Sequence, residues 1–101
     1  MFHTETMDED FERDAEMERL FSITDPVELL KELRDGEIVK TDVKPDPHAS
    51  GVYLVAFKLA DGYKGAAIVY TGASEVANEI GAADFEEFEY EEAHQKYGVT
   101  V

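Results

Sequence analysis

The sequence feature that most constrains the fold is a pair of apolar runs on either side of Asp61 and Gly62. An Asp-Gly pair between two such runs is a strong signal for a β-hairpin, because a two-residue loop needs residues that tolerate positive φ. We therefore predict a hairpin over residues 52–71 with Asp61-Gly62 as its loop. In that register Phe57 lies opposite Ala66.

Both faces of the predicted hairpin are apolar. One face carries Tyr53, Val55, Phe57, Leu59, Ala66, Ile68 and Tyr70, and the other carries Val52, Leu54, Ala56, Ala67 and Val69. A sheet with two apolar faces has to be covered on both sides. Helices can cover one side, and the other side requires a second helical layer or a homodimer partner.

Helix-start signals precede the hairpin. Thr6-x-x-Glu9 is a capping box that predicts a helix over residues 7–21. Alternating acids in this stretch also fit a strand, but the abundance of Glu, Met, Ala and Leu favours the helix. Asp25 as N-cap before Pro26 predicts a second helix, which Asp35-Gly36 ends. Its predicted apolar stripe consists of Val27, Leu29, Leu30 and Leu33.

Two more helices are predicted after the hairpin. Ser74 caps one that ends at Gly81, with Val76, Ala77 and Ile80 facing inward. Asp84-x-x-Glu87 is read as a capping box that opens a helix to about Tyr97. Its predicted apolar arc consists of Phe85, Phe88, Ala93 and Tyr97. Residues 99–101 then form either a short edge strand or a tail.

The remaining regular element is a strand over residues 37–43, with Val39 and Val43 facing inward, followed by a loop that contains two prolines. The element order predicts a single α+β domain spanning residues 1–101. Its small antiparallel sheet combines the hairpin of residues 52–71 with the strand of residues 37–43, and helices from both ends of the chain pack on it.

Charge narrows the possible partners. The chain has 24 acidic and nine basic residues, a net charge of −15. Direct binding to nucleic acid or to an anionic membrane is disfavoured, because Lys and Arg supply the affinity for phosphate. The acids concentrate in residues 1–20 and 72–101, on either side of a neutral hairpin. We therefore expect a protein partner with a basic, nucleic-acid-binding surface, bound by a monomer or a homodimer.

No pattern points to catalysis, a cofactor or a metal. The chain has no cysteine, which excludes disulfides and thiolate sites. The acidic run from Asp8 places Arg13 and Arg19 where a calcium-binding EF-hand loop needs Gly and Glu. Without a long apolar run or a basic signal-peptide start, we expect a cytoplasmic protein, in the host cell if it is phage-encoded.

The acidic runs suggest mimicry of DNA. Residues 5–18 hold eight acids and residues 84–92 hold six. On helices this density corresponds to one charge every ~2–3 Å of axis, close to the ~3.4 Å per phosphate of one DNA strand. The residues predicted to bind the partner are Asp8, Asp10, Glu12, Asp14, Glu86, Glu87, Glu89, Tyr90, Glu91, Glu92 and Tyr97.

A short resemblance supports this hypothesis. Tyr90-Glu91-Glu92-Ala93 followed by Tyr97-Gly98-Val99-Thr100-Val101 is similar to a Tyr-Glu-Glu-Ala-Tyr-Gly-Val-Ser-Val stretch of a small acidic anti-CRISPR protein. Here His94-Gln95-Lys96 is inserted between the two parts. The resemblance implies a phage-encoded inhibitor whose acidic residues bind the basic groove of a nucleic-acid-guided defence complex.

The expected function is therefore a non-enzymatic, DNA-mimicking inhibitor of a CRISPR-type defence or DNA-processing protein. The alternative is a small acidic regulatory module, homodimeric through its apolar sheet. The acidity alone is also explained by solubility or by adaptation to high salt, in which repulsion between surface charges is screened. An enzyme would require a pocket with convergent polar groups.

Overall fold

A four-stranded antiparallel sheet forms the centre of the computed structural model, which describes residues 15–101. The strands β1 (Ile38–Pro45), β2 (Val52–Leu59), β3 (Lys64–Tyr70) and β4 (Asp84–Glu89) lie in the order β1-β2-β3-β4. The helices are α1, described from residue 15 to 22, α2 (Pro26–Leu33), α3 (Glu75–Ile80) and α4 (Tyr90–Tyr97). The predicted α+β fold is confirmed, whereas the capping box at Thr6 lies outside the described residues.

The hairpin is confirmed, but its loop contains three residues instead of two. Leu59 donates its N–H to the Tyr63 carbonyl at 2.8 Å, and Gly62 donates to the Leu59 carbonyl at 2.9 Å. Phe57 consequently pairs with Gly65, one residue away from the predicted register. A turn closed by a residue with positive φ is the usual geometry of a three-residue hairpin loop.

The conformation of Asp61 explains why the longer loop forms. A two-residue loop of the predicted type needs positive φ at both positions. Gly62 has positive φ (96°), but Asp61 does not, since no non-glycine residue in the described part of the chain has positive φ. The Asp61 carboxylate instead accepts a hydrogen bond from the Tyr63 N–H at 2.9 Å. The aspartate therefore stabilises the turn through its side chain.

The changed register moves the β3 side chains to the opposite faces from those predicted. Shifting a strand by one residue exchanges its two faces, because side chains alternate with a period of two. The predicted sets for β2 are confirmed, and those for β3 are reversed: Ala67 and Val69 lie with Val55 and Phe57, whereas Ala66 and Ile68 lie with Leu54 and Ala56.

One face of the sheet, which we call the α2 face, is covered by α2. Leu29 and Leu30 are fully buried there against Val55, Phe57 and Val69. The predicted cap of α2 is confirmed, because the Asp25 carboxylate accepts a hydrogen bond from the Val27 N–H at 2.9 Å and Pro26 opens the helix. Leu20, Ile23, Val27, Leu33, Ile38, Val43 and Phe85 pack around this cluster.

The opposite face, which we call the C-terminal face, is covered by α4 and residues 98–101. Ala93, Val99 and Val101 are buried against Leu54, Ala56 and Ala66. The last three residues form no strand and lie as a tail on this face. The Thr100 N–H donates to the Asp42 carboxylate at 2.9 Å, which attaches the tail to β1. Both apolar faces of the hairpin are thus covered within one chain.

Three predictions of inward-facing residues are wrong. Val39 is 56% exposed because a bulge interrupts the pairing of β1 between Ile38 and Lys40. Val76 and Ile80 are also exposed, at 39% and 58%. The predicted cap of α3 is confirmed, since the Ser74 hydroxyl accepts from the Ala77 N–H at 3.0 Å, but this short helix buries only Ala77.

The largest correction concerns residues 84–97, which were predicted as one helix. Residues 84–89 form the edge strand β4, and α4 begins at Tyr90. Phe85 packs on the α2 face and Phe88 on the C-terminal face, as expected for side chains of opposite parity on a strand. Within residues 15–101 no helix is long and apolar enough to cross a membrane.

Candidate protein-binding surface

Strand β4 and the first turn of α4 carry the predicted C-terminal acids at one edge of the sheet. β4 pairs with β3 on one side, and its other side has no neighbouring strand in the described sheet. Phe85 and Phe88 pack on opposite faces of the sheet. Acids occupy the other positions of β4. We call Asp84, Glu86, Glu89, Glu91 and Glu92, which are all exposed, the acidic edge.

Glu87 is separated from the acidic edge by its contacts. Its two carboxylate oxygens each accept one N–H from Arg34 at 3.1 Å, and Oε1 also accepts the Tyr63 hydroxyl at 3.1 Å. The side chains of Arg34 and Glu87 are only 19% and 30% exposed. The hydrogen bonds to Glu87 raise the pKa of Arg34 above its ordinary value. A bidentate pair of this kind is a strong ionic contact. Glu87 is held in a contact that connects β4 to the end of α2, and its predicted role in partner binding stays a prediction.

The guanidinium of Arg34 also covers aromatic rings on the α2 face. Its central carbon lies 4.8 Å from the centroid of Phe57 and 5.5 Å from that of Tyr63. Arg34 follows α2, Tyr63 follows the hairpin loop and Glu87 lies on β4. This cluster therefore connects three separate elements. No local sequence pattern indicates it, because its members are 24 to 53 positions apart.

A groove of about 370 Å³ lies beside the acidic edge on the C-terminal face. Ile68, Phe88 and Tyr97 contribute its apolar surface, and Glu86 and Glu92 contribute carboxylates. Lys96 also lines the groove, with its ammonium 4.0 Å from the Glu92 carboxylate. The Tyr97 side chain is 46% exposed. An aromatic ring next to carboxylates suits the side chain of a lysine or arginine, which can pack its stem on the ring and pair its charge with the acid.

Tyr70 positions Glu86 at this groove. Its hydroxyl donates a hydrogen bond to Glu86 Oε2 at 3.0 Å. Partial burial of Tyr70 and this hydrogen bond raise the pKa of the phenol above its ordinary value, so the hydroxyl keeps its proton and remains a donor. Tyr70 and Ile68 were not predicted as site residues, because that prediction took only the acids of the two acidic runs and the tyrosines of the resemblance.

Tyr90 is half-buried and contacts the C-terminal tail. Its hydroxyl accepts a hydrogen bond from the Val101 N–H at 3.1 Å, and its ring stacks on His94 with centroids 5.7 Å apart. His94 Nδ1 lies 2.7 Å from the Val99 carbonyl, which can only accept, so this nitrogen carries a proton. Tyr90 therefore holds the C-terminal tail in place.

The structure thus divides the predicted binding residues into four groups. Glu86, Glu92 and Tyr97 line the groove beside the acidic edge, whereas Glu89 and Glu91 lie next to Lys64 and Tyr90. Glu87 and Tyr90 have structural contacts. Asp8, Asp10, Glu12 and Asp14 lie outside the described residues.

In the described part of the chain, no group of three or more His, Asp or Glu side chains is placed to hold a metal ion. Comparisons of the chain with protein-family models, with curated proteins and with solved structures returned no match. The arguments for function therefore rest on the acidic edge itself.

Proposed function

We propose that this protein is a non-enzymatic inhibitor that binds a basic, nucleic-acid-binding surface through its acidic edge, with a CRISPR-type defence complex or a DNA-processing protein as target. The observation that carries the proposal is the position of the acids on an open edge strand. The resemblance of residues 90–101 to an anti-CRISPR protein adds the class of target.

The strand geometry changes the argument for mimicry. Along a strand, side chains on the same face are two residues and ~6.6 Å apart, about twice the ~3.4 Å axial spacing of phosphates on one DNA strand. β4 contains four acids in six residues, and two more follow in the first turn of α4. The Arg34 pair removes Glu87 from this series, so Asp84, Glu86, Glu89, Glu91 and Glu92 supply the charge.

A groove next to the acids supports binding to protein over binding to simple cations. A lysine or arginine that enters beside Tyr97 would meet Glu86 and Glu92, and its stem would pack on Ile68 and Phe88. Complementary charge at such a surface accelerates association and depends strongly on salt. The alternative of a homodimer joined through the apolar sheet has less support, because α2, α4 and the tail cover the two sheet faces.

The test is displacement of DNA from purified, guide-loaded CRISPR effector complexes, measured by the fluorescence anisotropy of a labelled target duplex. We compare the wild type with E86Q/E89Q/E91Q/E92Q. The control, E28Q/E37Q/E75Q/E79Q, removes four exposed acids from other surfaces. We expect the acidic-edge variant to need at least ~10-fold more protein for half-displacement, equivalent to ~1.4 kcal/mol, and the control to stay within about twofold.

Equal losses in the two variants would show that overall charge, and not the acidic edge, drives binding. If the wild type displaces DNA from none of the effector complexes, the proposed class of target is wrong. If displacement is insensitive to salt between 50 and 300 mM, the electrostatic basis of the proposal is wrong.

A further inference from the structure

A row of lysines crosses the sheet on the C-terminal face, near the hairpin loop. Lys40 on β1 pairs directly with Lys58 on β2, and Lys58 pairs directly with Lys64 on β3. Directly paired residues point to the same face of an antiparallel sheet. We call Lys40, Lys58 and Lys64 the lysine row; it contains three of the six lysines of the chain.

The lysine row is unusual for a chain with 24 acids and a net charge of −15. Like charges directly opposite each other on neighbouring strands are destabilising. A single acid at position 58 would replace two repulsive contacts by two attractive ones. The ion pairs found among residues 15–101 involve Arg19, Arg34 and Lys96, so the lysine row takes part in none of them.

The row is accessible and partly ordered. Lys40 and Lys64 are exposed and Lys58 is half-buried. The Lys64 ammonium lies 5.4 Å from the ring centroid of Tyr90, whose hydroxyl is fixed by the C-terminal tail. Because strands lie ~4.8 Å apart, the three lysines span ~10 Å across the sheet.

We propose that the lysine row binds a linear phosphate chain, such as tripolyphosphate or the triphosphate of a nucleotide. Lysine ammonium groups bind phosphates as point charges, and a chain of three phosphates places several negative charges within the span of the row. A longer polyanion such as nucleic acid extends past the row toward the acidic surfaces and is repelled there. This proposal does not depend on the proposed inhibitor function, and the row meets the acidic edge at Lys64, which lies next to Glu89 and Glu91.

The experiment is isothermal titration calorimetry with sodium tripolyphosphate, ATP and a single-stranded thymidine oligonucleotide, without divalent cations and at constant ionic strength. The test variant is K40Q/K58Q/K64Q. The matched control is K31Q/K44Q/K96Q, which removes the other three lysines and therefore changes the net charge equally. We expect saturable tripolyphosphate binding by the wild type, a loss of at least ~10-fold in the test variant and a change within about twofold in the control.

Two comparisons complete the test. Equal affinity for tripolyphosphate and ATP would identify the phosphate chain alone as the ligand, and tighter binding of ATP would add nucleoside contacts. Absence of saturable binding, equal losses in both triple variants, or tighter binding of the oligonucleotide would each overturn the proposal. If the triple variant does not fold by circular dichroism, K58Q alone removes the central charge and is expected to weaken tripolyphosphate binding at least threefold.

Discussion

The two faces of the sheet are covered by different means. On the α2 face, large side chains fill the space, and Leu29, Leu30 and Phe57 are fully buried. On the C-terminal face, Ala56, Ala66 and Ala93 leave room for α4 and the tail to approach closely. The first arrangement buries more apolar surface for each residue, and hydrophobic stabilisation scales with that surface at ~25 cal/mol per Å².

The polar contacts are also stronger on the α2 face than on the C-terminal face. The α2 face is closed by the bidentate pair between Arg34 and Glu87, with both side chains mostly shielded from solvent. The C-terminal face is closed by single hydrogen bonds between the tail and Tyr90, His94 and Asp42. The groove beside the acidic edge and the lysine row both lie on this second face. We infer that the α2 face contributes more to the stability of the fold, and that the C-terminal face and the open edge at β4 are the surfaces available for binding.

Truncation of one buried residue on each face tests this division most directly. Leu30→Ala on the α2 face is expected to lower the free energy of unfolding by ~2–5 kcal/mol, through lost burial and the cavity that remains. Val99→Ala on the C-terminal face removes two methyl groups and should cost ~1.6 kcal/mol. Urea denaturation followed by circular dichroism measures both. A larger loss for Val99→Ala would reverse the comparison.

Gly65 tests how tightly the α2 face is packed. A Cβ atom built at Gly65 would lie 2.6 Å from Phe57 Cζ, so the ring has to move if any side chain is added. Gly65→Ala should therefore cost ~1–3 kcal/mol through overpacking. In a Phe57→Leu background the ring is absent, and the same substitution should cost less by at least ~0.5 kcal/mol.

The double-mutant cycle separates this contact from other effects of alanine at position 65. Each of the four proteins is unfolded in urea, and the coupling free energy is taken from the four transitions. Additive effects of the two substitutions would show that the Phe57 ring does not restrict position 65.

Local signals in the sequence predicted the fold more reliably than long-range ones. The caps at Asp25 and Ser74 are confirmed because an N-cap depends on neighbouring residues. The register of the hairpin was wrong because Asp-Gly occurs in both two-residue and three-residue loops. That choice depends on backbone conformation, which the sequence pattern does not contain.

The strand β4 shows a different limit of sequence reasoning. Its acids favour helix over strand, and Asp84 and Glu87 have the spacing of a capping box. Pairing with β3 and the packing of Phe85 and Phe88 on opposite faces outweigh that local preference. The sequence thus predicted which acids form the candidate surface. It did not predict that they lie on an edge strand, because that arrangement depends on tertiary contacts.

Glu86 and Glu87 are neighbours on β4 and test the difference between the faces within a single strand. Glu87→Gln weakens the pair with Arg34 and is expected to lower the free energy of unfolding by ~1 kcal/mol. Glu86→Gln retains an oxygen that can accept from the Tyr70 hydroxyl, so a change below ~0.5 kcal/mol is expected. Chemical denaturation at low and high salt measures both, and equal effects would contradict a structural role specific to Glu87.

The smallest expected effect is the response of the two faces to alkaline pH, which involves one tyrosine on each. The hydrogen bond to Glu87 and partial burial raise the pKa of Tyr63 on the α2 face. Burial and the hydrogen bond to Glu86 raise the pKa of Tyr70 on the C-terminal face. A raised pKa in the folded protein stabilises it fully below the ordinary value of about 10, and this stabilisation is lost as pH rises through the folded-state pKa.

We therefore expect the free energy of unfolding to fall as pH rises above about 10, and to fall less steeply in Tyr63→Phe and Tyr70→Phe. Tyr63 is 47% exposed, and solvent screens its interaction with Glu87. Tyr70→Phe should consequently remove the larger part of the slope. Urea transitions measured between pH 8.5 and 11.5, with tyrosine ionisation followed by absorbance, test this order. If both variants keep the wild-type slope, neither hydroxyl contributes to stability, and Glu86 is held at the groove without Tyr70.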